Sequence, residues 1–419
     1  MSRLEDYLAR TPRSAALFER AVRSLPGGST RTSVFFPPYA PYIVAGDGIR
    51  IRDVDGNVYR DFLGNYTALI LGHAHPAVVA AVEDQVRRGS AFGAPTEVEI
   101  EHAEELRRRL PSLERIRYTN SGTEATMLAL RAARAFTGRP LVARFERAYH
   151  GTHDVVMVGT RGVPDAISEL VVDLPWGDQA GVERGLAGQE RELAAIIIEP
   201  VQGGGGIRVA DPAFLTFLRE FTERHGALLV FDEIISFRVG PSGAQGLLGV
   251  RPDLTTLGKI IGGGYPTGAF GGRADVMEIF DARRPGALSH AGTYNGNPVT
   301  AAAGLATLRE LTPERFARLE SLGLRLRRRV GDGIAAAGLD AEIDGIGSLF
   351  QVWAGERLVA NATGSASASE LFLGLLLAGF YLAPRGMGAI ALPTEDSDVD
   401  ELGDAILAVL STAPQRAPA

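Results

Sequence analysis

Lys259 is the only lysine in a chain whose 43 basic residues are otherwise all arginine. A guanidinium is permanently protonated and cannot attack a carbonyl, whereas a lysine amine in a desolvated or positive site loses its proton and forms an imine. Nucleotide bias or heat adaptation accounts for the arginines, but not for the one exception. The lysine lies in Leu257-Gly258-Lys259-Ile260-Ile261-Gly262-Gly263-Gly264, where the glycines leave room for a ligand against the backbone. Upstream, Asp232-Glu233 follows the apolar run ALLVF. An acid at such a position can keep a heterocyclic nitrogen protonated and so make the ring an electron sink. Metal binding is the rival use of the pair, and no histidine lies near it in the sequence.

Three other segments carry residue types that would serve the same chemistry. Asn120-Ser121-Gly122-Thr123-Glu124 follows RIRYT and opens a helical run. Small hydroxyl residues and a glycine there offer free N–H groups and the positive dipole end to an anion, typically phosphate. Taken alone, they read first as an ordinary N-cap. Ala148-Tyr149-His150-Gly151 follows LVARF and supplies an aromatic ring, suited to stacking on a planar cofactor or to loop packing, beside an imidazole. Val201-Gln202 and glycines 203 to 206 follow AAIIIEP; without G-x-G-x-x-G spacing they are a weak nucleotide signal.

What must position these residues is an α/β fold with a mostly parallel sheet covered by helices on both faces. Apolar runs at RIRYT (115), LVARF (141), DVVMV (154), ELVVD (169), AAIIIEP (194) and ALLVFDE (227) read as strands alternating with helices. In such sheets ligands sit at the carboxyl ends of strands, where all these segments fall. The N-terminus reads as one amphipathic helix over 1–24, then a Pro-Gly-Gly turn, an aromatic and proline-rich loop over 33–42, and a hairpin about Asp55-Gly56. After residue 300 the pattern becomes long helices (about 311–335, 366–380 and 398–411) with one or two strands, and the tail from Ser411 reads as disordered. The expected organisation is an N-terminal segment, 1–60, joining a small α+β domain at 301–419, with a large domain at 61–300.

Composition removes several classes. With 45% apolar residues, 22% charged residues and a net charge of −7, the chain is globular and has no basic field for nucleic acid or acidic lipid. Leu371 to Ala383 is too short to cross a bilayer, and MSRLEDYLAR has no signal-peptide core, so a cytoplasmic location is expected. With no cysteine and only 7 histidines, neither disulfides nor a metal site is expected.

The set resembles the class-III pyridoxal-phosphate aminotransferases of fold-type I. The resemblance runs from about residue 20 to 395, on YTNSGTEA (118–125), YHG (149–151), EPVQG (199–203), FDEI (231–234), TLGKIIGGGYPTGAFGG (256–272) and GTYNGNP (292–298). It implies a large cofactor domain plus a smaller α+β domain and a transaminase that holds pyridoxal 5'-phosphate as an imine on Lys259. Ser121, Gly122 and Thr123 would bind the phosphate, Tyr149 would stack on the ring, with His150 beside it, and Asp232 would pair with the ring nitrogen. Gln202 would lie near the ring hydroxyl, and Thr293 would reach the phosphate of a neighbouring subunit, which implies a homodimer with shared active sites. The small-molecule partners would be an amino donor and a keto-acid acceptor.

Two loop arginines bear on the substrate. Arg31 follows Pro26-Gly27-Gly28-Ser29-Thr30, and Arg385 lies in Tyr381-Leu382-Ala383-Pro384-Arg385-Gly386. Most arginines are solvated surface, but a fork of N–H donors on a loop is suited to gripping a carboxylate. These segments resemble β-amino acid aminotransferases of the β-phenylalanine type. That resemblance assigns Arg31 to the donor carboxylate and Arg385 to that of an acceptor such as 2-oxoglutarate. Aromatics of the 33–42 loop would line an apolar pocket or simply pack. Glutamate-1-semialdehyde 2,1-aminomutase resembles the chain equally well over YTNSGTEA, the lysine segment and the Pro-Gly-Gly opening. An acid is expected shortly after the matching proline in the aminomutases, and Arg385 to Pro393 contains none. Another ω-amino acid or amine transaminase, and a catalytically inactive pyridoxal-phosphate-binding protein, are the remaining readings. The sole lysine together with Asp232 argues against the last.

Overall fold

A computed structural model describes residues 2–355 and 366–412. The chain forms two compact units, Met1–His75 with Ala317–Ala419, and Pro76–Phe316. The first unit contributes strands β1 (Ile43–Asp47), β2 (Arg50–Asp53) and β3 (Val58–Asp61). The second contributes β4 (Arg115–Thr119), β5 (Leu141–Phe145), β6 (Val171–Leu174), β7 (Leu193–Ile198), β8 (Val201–Gln202), β9 (Arg208–Val209), β10 (Leu228–Asp232), β11 (Leu254–Gly258) and β12 (Gly268–Gly272). The chain returns to the first unit with β13 (Ala341–Ile346), β14 (Leu349–Ala354), β15 (Phe380–Tyr381) and β16 (Met387–Ala389).

In the second unit a seven-stranded sheet runs β4-β12-β11-β10-β7-β5-β6. β10 is parallel to β7 and β11, and β5 to β6 and β7; β12 is antiparallel to both β11 and β4. Six strands therefore end at one edge. Period-two alternation explains how such apolar strands are buried on both sides. Ile196 and Ile198 pack with Phe214 and Leu218 of the helix Pro212–His225, while Ile197 packs with Ala129 and Ala133 of the helix Gly122–Thr137 on the other face.

Two expectations fail for readable reasons. DVVMV is not a strand: Asp154–Val156 is a 3-10 turn, and both sides of β5 are already occupied by β6 and β7. Its apolar side chains instead cover the helix Gly122–Thr137, with Val156 buried there. The N-terminal helix is two helices, Arg3–Arg10 and Pro12–Ala21, because Pro12 has no N–H to donate and forces Thr11 out of the helical region (φ −128°, ψ 43°).

In the first unit, β1, β2 and β3 form an antiparallel meander, and β15 pairs in parallel with β3. β13, β14 and β16 make a second sheet, where one or two strands were expected in this part of the chain. The long helices are Pro313–Ala337, Ala366–Leu377 and Asp396–Thr412. The last of these includes Ser411 and Thr412, and the remainder of the expected disordered tail lies outside the described residues. Leu371 to Ala383 is divided between a helix and β15; among the described residues no helix is long and apolar enough to cross a membrane. Phe36 and Tyr39 of the proline-rich loop are buried against Tyr7, Tyr59 and Phe372, so they pack, while Phe35 stays exposed.

After β3, Gly64–Thr67 forms a single left-handed turn with φ of 54°, 50°, 55° and 76°. Only Gly64 adopts this freely; side chains there cost about 1–2 kcal/mol each, with asparagine the most tolerant. Asp61 stabilises its entry by accepting from the N–H groups of Leu63 and Gly64, each at 2.9 Å, and its other oxygen meets His73 Nε2 at 2.7 Å.

β12 was not anticipated because GAFGG has poor strand propensity. Its glycines are a packing requirement: a Cβ on Gly268 would run into the carbonyl oxygen of Ser121 and the hydroxyl of Thr119. Gly268→Ala should therefore lower unfolding stability by about 1–3 kcal/mol, read as a shift in the denaturant midpoint at unchanged slope.

Candidate active site

Ser121 is the N-cap of the helix Gly122–Thr137, its Oγ accepting from Glu124 N–H at 3.2 Å. The capping role leaves its hydroxyl proton free to donate, and the first helical N–H groups point toward any anion at that end. Glu124 fastens the preceding bend by accepting from Asn120 N–H at 2.8 Å. Gly122 cannot be larger, since a Cβ would lie 2.5 Å from Ile234 Cδ1. A Cβ on Gly151 would likewise lie 2.5 Å from Thr123 Oγ1.

The loop after β5 places Tyr149 and His150 differently. Tyr149 is 54% exposed, available as a plate. His150 is buried, with Nδ1 2.7 Å from Asp232 Oδ2 and both side chains no more than 2% exposed. A carboxylate only accepts, so Nδ1 carries the proton. The other Asp232 oxygen accepts from Ile234 N–H and the Thr256 hydroxyl, each at 3.2 Å. His150 therefore meets the acid, and its Nε2 has no hydrogen-bond partner among the described residues.

Glu199, the acid of EPVQG, was overlooked because it reads as a strand end. It is buried, and accepts from Tyr149 N–H at 3.0 Å and Gly203 N–H at 3.1 Å, tying the loop after β5 to the loop after β7. Burial pushes its carboxyl up to about 7, with His150 opposing the shift and Asp232 adding to it. Gln202 is fully buried; its amide donates to the Glu146 carbonyl at 2.7 Å, and its Oε1 has no hydrogen-bond partner among the described residues.

Lys259 follows β11, whose register pairs Thr256 with Asp232. It is half-buried and holds φ at 53°, opening the turn Lys259–Gly262. A long side chain in the left-handed region is uncommon, and such strain clusters at functional sites. Thr293 is exposed on a turn that Asn295 ties to Asn120, Asn120 Nδ2 donating to Asn295 Oδ1 at 3.0 Å. Asn295 is a second residue that sequence reasoning missed.

Arg31 and Arg385 belong to the first unit. Arg31 is exposed and donates from Nη1 to Asn65 Oδ1 at 2.9 Å. Arg385 is half-buried on a tight turn before β16, with its carbonyl accepting from Gln351 Nε2. Burial raises the Tyr66 phenol, and the charges of Arg385 and Arg31 both oppose that shift, so both act on one tyrosine.

A mostly parallel sheet with a helix N-terminus, a buried acid and a strained lysine at its carboxyl edge is the arrangement of a fold-type I enzyme. The chain belongs to the class-III aminotransferases, whose family model matches residues 37–392. A curated relative, glutamate-1-semialdehyde 2,1-aminomutase of Desulforudis audaxviator, is 42% identical over 92% of this chain and 94% of its own. An omega-transaminase structure from Sphaerobacter thermophilus is 44% identical, covering 95% of this chain and 97% of its own, with a TM-score of 0.91. The β-phenylalanine aminotransferase structure from Variovorax paradoxus is 36% identical, covering 98% of this chain and 96% of its own, also at 0.91. The protein is thus a pyridoxal-phosphate-dependent transaminase of class III. Its residues fit that cofactor: Gln202 Oε1 and His150 Nε2 are buried polar atoms left without partners among the described residues, and the helix end offers donors to phosphate.

Two measurements test this arrangement. A hydrogen bond to a charged group is worth about 1.5–3 kcal/mol, so His150→Ala should weaken cofactor retention by about 10- to 100-fold in equilibrium dialysis. Glu199, raised from 4.5 to about 7, binds a proton on folding between those values, so its contribution to stability is lost as pH rises through that window. Thermal unfolding of Glu199→Gln should fall less steeply than wild type from pH 5 toward 7.

Proposed function

We propose that this chain moves the amino group of a β-amino acid, an aromatic one of the β-phenylalanine type, to a keto acid such as 2-oxoglutarate. The observation that carries the reading is the pair of loop arginines, Arg31 and Arg385, in one unit, with no acid from Arg385 to Pro393. A guanidinium grips a carboxylate through two parallel N–H donors, and repels a cation in the same place. Arg31 holds the donor carboxylate and Arg385 that of the acceptor. The solved transaminase relatives support this reading.

Bound pyridoxal phosphate supplies an electrophilic carbon and an electron sink. Ser121, Gly122 and Thr123 would hold its phosphate, Tyr149 would stack on its ring, and Gln202 would serve its ring hydroxyl. Asp232, hydrogen-bonded by His150 Nδ1–H, would pair with the ring nitrogen. Lys259 would hold the cofactor through its Nζ and would serve as the base for the proton at the substrate carbon. Thr293 completes the phosphate site of a second copy, which makes the working form a homodimer; its place is the cytoplasm.

The second reading, glutamate-1-semialdehyde 2,1-aminomutase, is favoured by the name its curated relatives carry. One assay separates the two. Purified enzyme loaded with cofactor should form glutamate from β-phenylalanine and 2-oxoglutarate. Formation of 5-aminolevulinate from glutamate-1-semialdehyde, with no glutamate from the first pair, reverses the assignment.

A further inference from the structure

The left-handed turn Gly64–Thr67 spends two consecutive side chains on the stretch that bears Arg31. Asn65 Oδ1 accepts from Arg31 Nη1 at 2.9 Å, and the Tyr66 hydroxyl donates to the carbonyl of Ser33, two residues further on. The strained conformation is imposed from behind by Asp61, which caps the N–H groups of Leu63 and Gly64 and is itself held by His73 at 2.7 Å. The turn presents these two side chains at a cost that falls mainly on Tyr66, since asparagine tolerates the left-handed region and tyrosine does not.

The chemistry of the acceptor matters. Among the described residues no carboxylate lies within ion-pair distance of Arg31, although other arginines on this chain, such as Arg3, Arg10, Arg144 and Arg325, are paired with acids. A neutral amide oxygen orients the guanidinium while leaving its charge uncompensated. Asp at the same site would orient it equally well, and asparagine and aspartate both tolerate the left-handed region, so backbone geometry does not choose between them. The difference lies in electrostatics: a carboxylate in place of the amide would neutralise Arg31 and compete with any incoming anion.

We propose that Asn65 is a specificity-determining residue: it positions Arg31 without neutralising it, and so preserves the cation that selects amino donors bearing a carboxylate. This rests on the reading of Arg31 as the donor-carboxylate grip. Asn65 acts through Arg31 and is a positioning residue.

The test measures binding to the cofactor-loaded enzyme by calorimetry, using 3-phenylpropanoate and its uncharged amide, 3-phenylpropanamide, as probes. Asn65→Asp should weaken 3-phenylpropanoate by at least about tenfold and leave the amide within about twofold, while Asn65→Ala, which adds no charge, weakens the anion by only about threefold. In turnover, Asn65→Asp raises KM for the anionic donor and leaves kcat nearly unchanged. Equal weakening of both probes would reduce Asn65 to a structural role and overturn the proposal. Arg31→Gln separates the two layers. If it loses the anion while Asn65→Asp binds as wild type, Asn65 has no part in selection and the arginine reading stands; if Arg31→Gln also binds as wild type, the arginine reading itself fails.

Discussion

The catalytic edge depends on one buried acid. The Asp232 side chain is 2% exposed, and a carboxyl group so far from water must be hydrogen-bonded on every side. Its partners come from three places: His150 from the loop after β5, Thr256 from β11 and the backbone of Ile234 just beyond β10. Satisfying one carboxylate therefore sets where the loop after β5 lies relative to β11, and Lys259 begins where β11 ends. Glu199 repeats the device one strand away, drawing Tyr149 and Gly203 together through their N–H groups.

In each unit, strained backbone lies beside candidate site residues. The non-glycine residues in the left-handed region include Lys259, Arg147 just before Tyr149, Ile207 closing the glycine run after Gln202, and Asn65, Tyr66 and Thr67 beside Arg31. Such conformations persist only where surrounding structure over-determines them. Here that surrounding structure is a sheet with β7, β10 and β11 buried along their whole length, and, in the first unit, the Asp61–His73 pair. A rigid scaffold holding bent, polar loops is the usual division of labour in an enzyme.

Much of this was legible because strong local signals coincide with the chemistry. Apolar runs of β7 and β10 admit no other reading than a doubly covered sheet, and the residues at their ends are the ones the site uses. Glu199 was not legible, since an acid before a proline at a strand end looks like a solvated terminus; only the return of the loop after β5 buries it. Asn65 was hidden for a similar reason, because its importance depends on a left-handed turn that no propensity would suggest for Asn-Tyr-Thr. DVVMV misled in the opposite sense. Its period suits a strand, but strand pairing is a property of neighbours, and β5 had none to spare.

The sequence by itself determined the class of chemistry: a single lysine suited to imine formation, an acid at a strand end and a phosphate-suited helix start are statements about residue types and order, and these survive any detail of packing. Tertiary structure alone decided which groups carry the charge and which stand behind them. His150 became the partner of Asp232, Ser121 the cap of its helix, and Arg31 the partner of a neutral amide, because hydrogen-bond partners and burial arise between segments of the folded chain. No local pattern encodes the dielectric in which a carboxylate will find itself.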